Sequence, residues 1–284
     1  MGQTQADVIN TLIVDVTMPA LILGVLAKRD LQWSASLAVV PATASLVLTG
    51  VLALLVTRVL RTDRRVQGSA VITAAFCNTG FLGFPLLLAL FPGDAAASST
   101  ALWIDTIDTT LLLWTVGLAV AQRLGNGQRF DARVAGRMLL RPLTLAIVLG
   151  VALKAGHLEL PGFMDSALDA LGRCTGPLVF LSLGLQLDMR ALAGRLLPVA
   201  LVSALKLLVA PLLCLVMVRA LRLEEPLASV AVLQCAMPSA MVGVIVAGQG
   251  GCDRPFAAAV ATTTTLLCIL SLPALGWLLQ LTAA

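Results

Sequence analysis

Nine long runs of apolar residues, separated by short polar stretches, cover most of the chain. We label them segments A to I, at about 8–27, 34–60, 68–91, 98–122, 139–157, 163–187, 196–218, 226–248 and 255–281. Each segment is close to the roughly 20 residues that an α-helix needs to cross a bilayer. The pattern therefore predicts an all-α membrane protein with about nine transmembrane helices in the lipid bilayer.

The composition supports this prediction and excludes several classes of protein. Of the 284 residues, 59% are hydrophobic and 12% are charged, which is about half the charged share of a soluble domain. A secreted disulfide scaffold, a nucleic-acid-binding protein and an ordinary cytosolic enzyme are therefore not expected. With a single His and no Cys-x-x-Cys pair, neither a metal site nor a cofactor is predicted.

The basic residues of the loops predict the orientation of the chain. With nine spans, twelve Lys and Arg residues fall in the loops on one side of the membrane and five in the loops on the other. Since basic loops remain in the cytoplasm, we expect a plasma (inner) membrane protein whose N-terminus is cytoplasmic and whose C-terminus is outside.

Two segments carry helix-weakening residues near their middle. These are Asn78, Gly80, Gly83 and Pro85 in segment C, and Pro238, Ser239 and Gly243 in segment H. Proline removes a backbone donor, and glycine weakens a helix. Both spans should therefore break near the bilayer midplane, where freed backbone is tolerated only inside protein or beside a water-filled cavity.

The two broken segments occupy equivalent places in an internal repeat. An offset of 160 residues sets Asn78 on Pro238 and Gly83 on Gly243, and segments A to D then repeat as F to I. Segments C and H are five spans apart, so the two copies insert with opposite orientation. An inverted repeat with a broken helix in each half is typical of a secondary transporter.

Three short motifs resemble those of a known family. Residues 78–85, NTGFLGFP, are similar to the first crossover of the auxin efflux carrier family, and residues 236–240, AMPSA, are similar to its second crossover. Residues 206–211, KLLVAP, resemble a signature in the span before the second crossover. The resemblance extends over the chain from residue 8, and it places the family with the bile-acid, arsenite and riboflavin carriers.

The resemblance implies a ten-helix fold of two inverted five-helix repeats and transport by alternating access. The implied substrates are small organic anions, either malate- or malonate-like carboxylates or auxin-like acids. The first family helix has no counterpart in this bacterial-type sequence, which explains why segment E has no partner; the helix is either truly absent or lost through a misplaced start site. Repeat one then covers residues 8–122 and repeat two residues 139–281.

The same resemblance divides the helices into two groups. Scaffold helices are expected at about 8–27, 139–157 and 163–187, and a homodimer is expected to form through them. Crossover, or transport, helices are expected at about 34–122 and 196–281. The transport group would move against the scaffold to expose the substrate to each side of the membrane in turn.

The two breaks are the predicted anion site. Each half-helix N-terminus carries about half a positive charge and unsatisfied N–H groups, so two of them facing one cavity would bind an anion. The candidate substrate-binding residues are Asn78, Thr79, Gly80, Gly83, Pro85, Met237, Pro238, Ser239, Ala240 and Gly243. The alternative is that glycine and proline only kink the helices for packing.

Four charged residues inside apolar segments are candidates for ion coupling or charge switching. Asp105 and Asp108 lie on neighbouring positions of one helix face, and a proton or a sodium ion would be their ligand. The alternative is that both residues lie near the outer membrane interface and bind no ion. Lys206 requires an acid, a carbonyl or an anionic substrate as its partner, and Asp15 is the acid candidate. Lys206 is then either a charge switch or half of a structural ion pair.

Three other functions remain open at this point. A sodium-coupled symporter of the bile-acid type would need acidic and amide side chains at the crossovers, where the chain offers Asn78 and little else. An intramembrane enzyme would need a catalytic dyad, for which Asp105 and Asp108 are the candidate pair, and no enzyme is predicted. A non-transporting receptor or truncated relic is suggested by the missing first helix.

Overall fold

The structure is a computed structural model that describes residues 8–9, 11–28, 32–127, 142–156, 158–186 and 195–283, with positions 136 and 140. No β-strand occurs among these residues, so the predicted all-α class is confirmed. The helices are α1 (Ile13–Ala27), α2 (Trp33–Val59), α3 (Arg64–Ala75), α4 (Thr79–Leu90), α5 (Ala95–Gly125), α6 (Pro142–Ala155), α7 (Gly162–Arg173), α8 (Thr175–Gln186), α9 (Leu196–Ala220), α10 (Leu227–Ala236), α11 (Met241–Gln249) and α12 (Arg254–Ala283).

Four of these helices are long and apolar enough to cross a membrane. Within the described residues they are α2, α5, α9 and the stretch Arg254–Gly276 of α12, and shorter apolar helices accompany them. Each of the nine predicted segments contains helix. The ends of segment E at 139 and 157 lie outside the described residues.

Helix α2 is polar on its buried face and apolar on its exposed face. The side chains of Ser45 and Thr49 are fully buried, whereas Val47, Val51 and Leu55 are each about half exposed. A soluble protein would place these two sets the other way round. The exposed face of α2 is therefore suited to hydrocarbon rather than water.

Segments C and H both break, as the sequence predicts. Helix α3 ends at Ala75, and α4 begins at Thr79 after a short non-helical stretch. Helix α10 ends at Ala236, and α11 begins at Met241. Each predicted span is therefore a pair of half-helices, and the backbone groups at each inner end need partners outside their own helix.

Segment F is two helices rather than one continuous span. Helices α7 and α8 meet at Cys174, which forms a turn between them. Gly176 and Pro177 follow two and three residues later, and proline has no N–H group to donate to the preceding turn. The prediction of one uninterrupted helix over 163–187 was wrong at this point.

The helices pack as two groups. Helix α1 packs against α6 and α7, and α8 contacts α1, α7 and the first broken helix at α4. Helices α2 to α5 and α9 to α12 pack mainly on one another. This packing is the structural context for the scaffold and transport groups, whose relative movement stays a prediction.

Candidate functional site

The two breaks cross each other inside the helical bundle. The backbone N–H of Asn78 donates to the carbonyl of Pro238 at 2.8 Å, and the N–H of Ala240 donates to the carbonyl of Phe76 at 3.0 Å. Cys77 and Ser239 form an antiparallel bridge at the same place. The contact is centred on Cys77 and Ser239, and it includes Asn78 and Pro238, the two positions that the 160-residue offset superimposes. Each break thus supplies partners for backbone groups that the other has freed.

The second break is held in place by hydroxyl groups. Ser239 is fully buried, and its Oγ donates to the carbonyl of Thr73 on α3 at 2.7 Å. Its backbone N–H donates to Thr264 Oγ1 on α12 at 3.1 Å. Gly243 lies where a methyl group would come within 3.2 Å of Ile72. These contacts fix the second break firmly to α3 and α12.

The first break is in direct contact with a buried carboxylate. Thr79 Oγ1 donates to Asp105 Oδ1 at 2.6 Å and lies 2.6 Å from Thr109 Oγ1. A Cβ built on Gly80 would stand 2.8 Å from the same Asp105 oxygen. Asp105, only 2% exposed, therefore lies against the N-terminus of α4. The structure thus brings together residues from two predicted groups, the anion site and the coupling site.

Asp108 faces a different partner, one helical turn along α5. Thr43 Oγ1 on α2 donates to Asp108 Oδ1 at 2.6 Å. Asp108 is buried and lines a small cavity beside the crossing, with space for about one water molecule. The cavity is lined by Ala42, Ser45, Leu46, Ala75, Cys77, Thr79, Ile104, Asp108, Ala210, Gln234 and Cys235.

Lys206 is fully buried, and its Nζ donates to Cys77 Sγ at 2.6 Å. Asp15 is exposed on α1, and no Asp15–Lys206 ion pair forms among the described residues. The predicted partnership of these two residues was wrong, because a thiol at the first break takes the place of the acid. Lys206 therefore belongs to the crossing rather than to a link with α1.

Two buried polar atoms at the crossing have no hydrogen-bond partner within the described part of the chain. They are Asn78 Nδ2, a donor, and Gln234 Oε1, an acceptor. Gln234 uses its Nε2 to donate to the carbonyl of Ala101 at 3.3 Å. A methyl group on Gly83 would overlap Gln234 Oε1 and approach Met237. Because buried polar groups are nearly always paired, the crossing has spare capacity for a polar ligand.

The charged and polar residues lie in wide helical turns. Thr79–Gly83, Asp105–Gly117 and Leu205–Val209 are π-helical, a geometry that is rare and frequent at functional sites. Pro85 lies half-buried just beyond the first of these turns. Thr79, Asp105 and Lys206 each lie in the first two residues of one of these turns.

Three residues of the crossing were not predicted from the sequence. They are Thr43, Cys77 and Gln234. Thr43 binds Asp108, Cys77 binds Lys206, and Gln234 lines the cavity. Gln234 had a usable signal, since an amide four residues before a helix-breaking proline in an apolar span is costly unless it is used. Thr43 and Cys77 resemble ordinary small residues of a membrane helix, and the sequence does not distinguish them.

Known proteins resemble this chain over nearly its full length. A family model described as membrane transport protein matches residues 1–275. An uncharacterized transporter of Methanothermobacter thermautotrophicus is 30% identical over 275 residues, which cover 96% of this chain and 89% of the relative. An uncharacterized transporter of Methanocaldococcus jannaschii is 24% identical over 287 residues, which cover 98% of this chain and 91% of the relative.

Proposed function

The chain belongs to the membrane transport protein family, the auxin efflux carrier family that its motifs resemble, and we propose that it is a secondary transporter of small organic anions. Its family and relatives are those of a membrane transporter and not of an enzyme. The proposed substrates are malate- or malonate-like carboxylates or auxin-like acids, carried by alternating access.

The crossing of the two broken helices carries this proposal. It buries an unpaired amide donor, Asn78 Nδ2, at the N-terminus of α4, where the helix dipole favours negative charge. The hydroxyl of Thr79 and the N-terminus of α11 add further donors at the same crossing. Such a site can bind a carboxylate mainly through neutral donors.

The proposed binding residues are those of the two breaks: Asn78, Thr79, Gly80, Gly83, Pro85, Met237, Pro238, Ser239, Ala240 and Gly243. Asp105, Asp108 and Lys206 are the proposed coupling and charge-switch groups, since all three are buried around the crossing. Asp15, exposed on α1, is left without support in that role. A proton or a sodium ion is the proposed coupling ion.

Movement of one helix group against the other would give alternating access. Helix α4 belongs to the crossing and also contacts α8, so a shift between the groups would open the crossing to one side. We propose a plasma-membrane location with a cytoplasmic N-terminus and an external C-terminus, and a homodimer through α1, α6, α7 and α8.

Transport by the purified protein in proteoliposomes tests this function. We expect uptake of at least one of labelled malate, malonate and indole-3-acetate, driven by an imposed proton or sodium gradient. Asn78→Ala should lower uptake at least about tenfold, because a hydrogen bond from this amide to a charged substrate is worth roughly 1.5–3 kcal/mol. Ser166→Ala, which removes an exposed hydroxyl on α7, is the matched control and should transport normally.

Two results would overturn the proposal. One is the absence of uptake of all three acids together with no shift of the melting temperature on adding them. The other is normal uptake by Asn78→Ala. Uptake that requires a sodium gradient and whose rate does not depend on the proton gradient would instead favour the sodium-coupled symporter.

A further inference from the structure

The carboxylate of Asp105 occupies the place at which an anion would meet the first broken helix. It accepts the Thr79 hydroxyl at 2.6 Å, and its Oδ1 lies 2.8 Å from the position of a Cβ on Gly80. These residues form the first turn of α4, where backbone N–H groups lack partners in the helix. The chain thus supplies its own negative group to this helix end.

The surroundings of Asp105 hold few charges that could neutralise it. On α5 itself the nearest acid is Asp108, and on α9 the buried cation is Lys206, whose Nζ is bound to Cys77 Sγ. Within the described residues, the thiols of Cys77 at the first break, Cys235 on α10 and Cys214 on α9 are the other titratable groups around the crossing. From α1 the neighbour of the first break is Met18, an apolar side chain. No ion pair to Asp105 forms within the ranges that the structure describes.

We propose that Asp105 competes with the substrate anion for the N-terminus of α4, and that a proton on Asp105 admits the substrate. This inference rests on the proposed function, and it names the proton as the coupling ion. Proton and anion then enter the site together, one proton for each anion, and the substrate leaves when Asp105 gives up its proton on the other side of the membrane.

The competition follows from charge and from hydrogen-bond capacity. Two like charges at one helix end repel strongly where water is excluded, so ionised Asp105 and a bound carboxylate exclude each other. The hydroxyl of Thr79 has a single proton to donate, and Thr79 also lines the cavity. Neutral Asp105 carries an O–H of its own and no longer requires this proton. The Thr79 hydroxyl and Asn78 Nδ2 are then both available to the substrate.

Anion binding between pH 7 and pH 9 tests the proposal. The probe is whichever of malate, malonate and indole-3-acetate is transported in proteoliposomes, since all three are fully ionised in this range. Where Asp105 is ionised in the free protein, the affinity of the wild type should fall about tenfold for each pH unit gained, as linkage of one proton to one anion requires. Asp105→Asn, which has no charge, should bind with a flat pH profile and at least about tenfold more tightly than the wild type at pH 9.

Asp94→Asn is the matched control, because it removes the same charge at the N-cap of the same helix, outside the crossing, and asparagine can keep the cap on Ala97. It should keep the pH slope of the wild type. Equal flattening of the slope by both variants would overturn the proposal, as it would show a general effect of charge. A wild-type affinity that does not change from pH 7 to pH 9 would overturn it as well.

A second measurement needs no variant and remains decisive if Asp105→Asn fails to fold. Addition of the probe anion to wild-type protein in weakly buffered detergent solution should remove close to one proton per bound anion, as followed with a pH-indicator dye. Binding without proton uptake would overturn the proposal while leaving the transport function intact. Failure of the wild type to transport any acid would instead overturn the proposed function.

Discussion

Gly83 is a position at which the crossing tolerates no side chain. A Cβ there would overlap Gln234 Oε1 and lie 3.1 Å from Met237 Cγ. Both neighbours are fully buried and belong to α10 and the second break. The close approach of the two broken helices therefore depends on the missing side chain of Gly83.

Replacement of Gly83 by alanine should destabilise the protein by about 1–3 kcal/mol, the usual cost of forcing an extra methyl group into a packed core. Thermal unfolding in detergent, followed by tryptophan fluorescence, measures the loss. Gly176→Ala on α8 is the control, since nothing lies within 4 Å of a Cβ at that position. Melting of Gly83→Ala at the wild-type temperature would contradict the tight contact.

At the scale of single residues, the sequence predicts which backbone positions break but not which side chains meet. Glycine and proline residues that weaken a helix follow Asn78, and Pro238 itself has no backbone N–H, and the breaks lie at those positions. The partner of Lys206 could not be predicted, because Cys77 lies at the first break, far from Lys206 in the sequence, and a thiol is an unusual acceptor for an ammonium group. Asp105 and Asp108 were correctly placed on one helix, but their separate partners, Thr79 and Thr43, follow only from packing.

At the scale of elements, the second break depends on helix α12. The backbone N–H of Ser239 has lost its helical acceptor, and Thr264 Oγ1 accepts it instead. Thr264 in turn donates to the carbonyl of Val260, one turn earlier in α12. A hydroxyl in one helix therefore satisfies the broken backbone of another.

Thr264→Val should destabilise the protein by about 1–3 kcal/mol, because a buried donor is left without an acceptor while the shape is kept. Thr263→Val offers a matched comparison at the preceding position of α12, where the threonine hydroxyl has no partner within the described residues. This second variant should unfold at or above the wild-type temperature. Equal melting temperatures for the two variants would show that Thr264 does not hold the break.

Element boundaries were predicted well at the two breaks and poorly within segment F. The ends of α3, α10 and α11 follow from proline, glycine and asparagine in the chain. The division of segment F at Cys174 was missed although Gly176 and Pro177 mark it in the sequence. The apolar pattern resumes at Leu178, so hydrophobicity alone joins the two helices into one segment.

At the scale of the whole molecule, the orientation in the membrane can be tested at two loops. Asp63 lies exposed between α2 and α3 on the proposed cytoplasmic side, and Glu224 lies exposed between α9 and α10 on the proposed outer side. Cys174 is exposed, whereas the other five cysteines are buried. A Cys174→Ser background is therefore suitable for labelling single introduced cysteines.

In intact cells, a membrane-impermeant maleimide should label Glu224→Cys and leave Asp63→Cys unmodified. Asp63→Cys should react only after the membrane is permeabilised, because basic loops remain in the cytoplasm. The Cys174→Ser protein without an introduced cysteine gives the background. Labelling of Asp63→Cys alone in intact cells would reverse the orientation, and labelling of both would contradict the span count between the two loops.

The contact between Asn78 and Pro238 also affects how the protein is made. A ribosome adds about 5–20 residues per second, so the first break waits roughly 8–30 s for the second to be synthesised. During this time its backbone groups have no partner, and a bilayer offers none. The first half of the chain therefore cannot complete its fold in the membrane until the second half has been synthesised. Until then the cell's insertion machinery has to keep the polar first break away from the lipid.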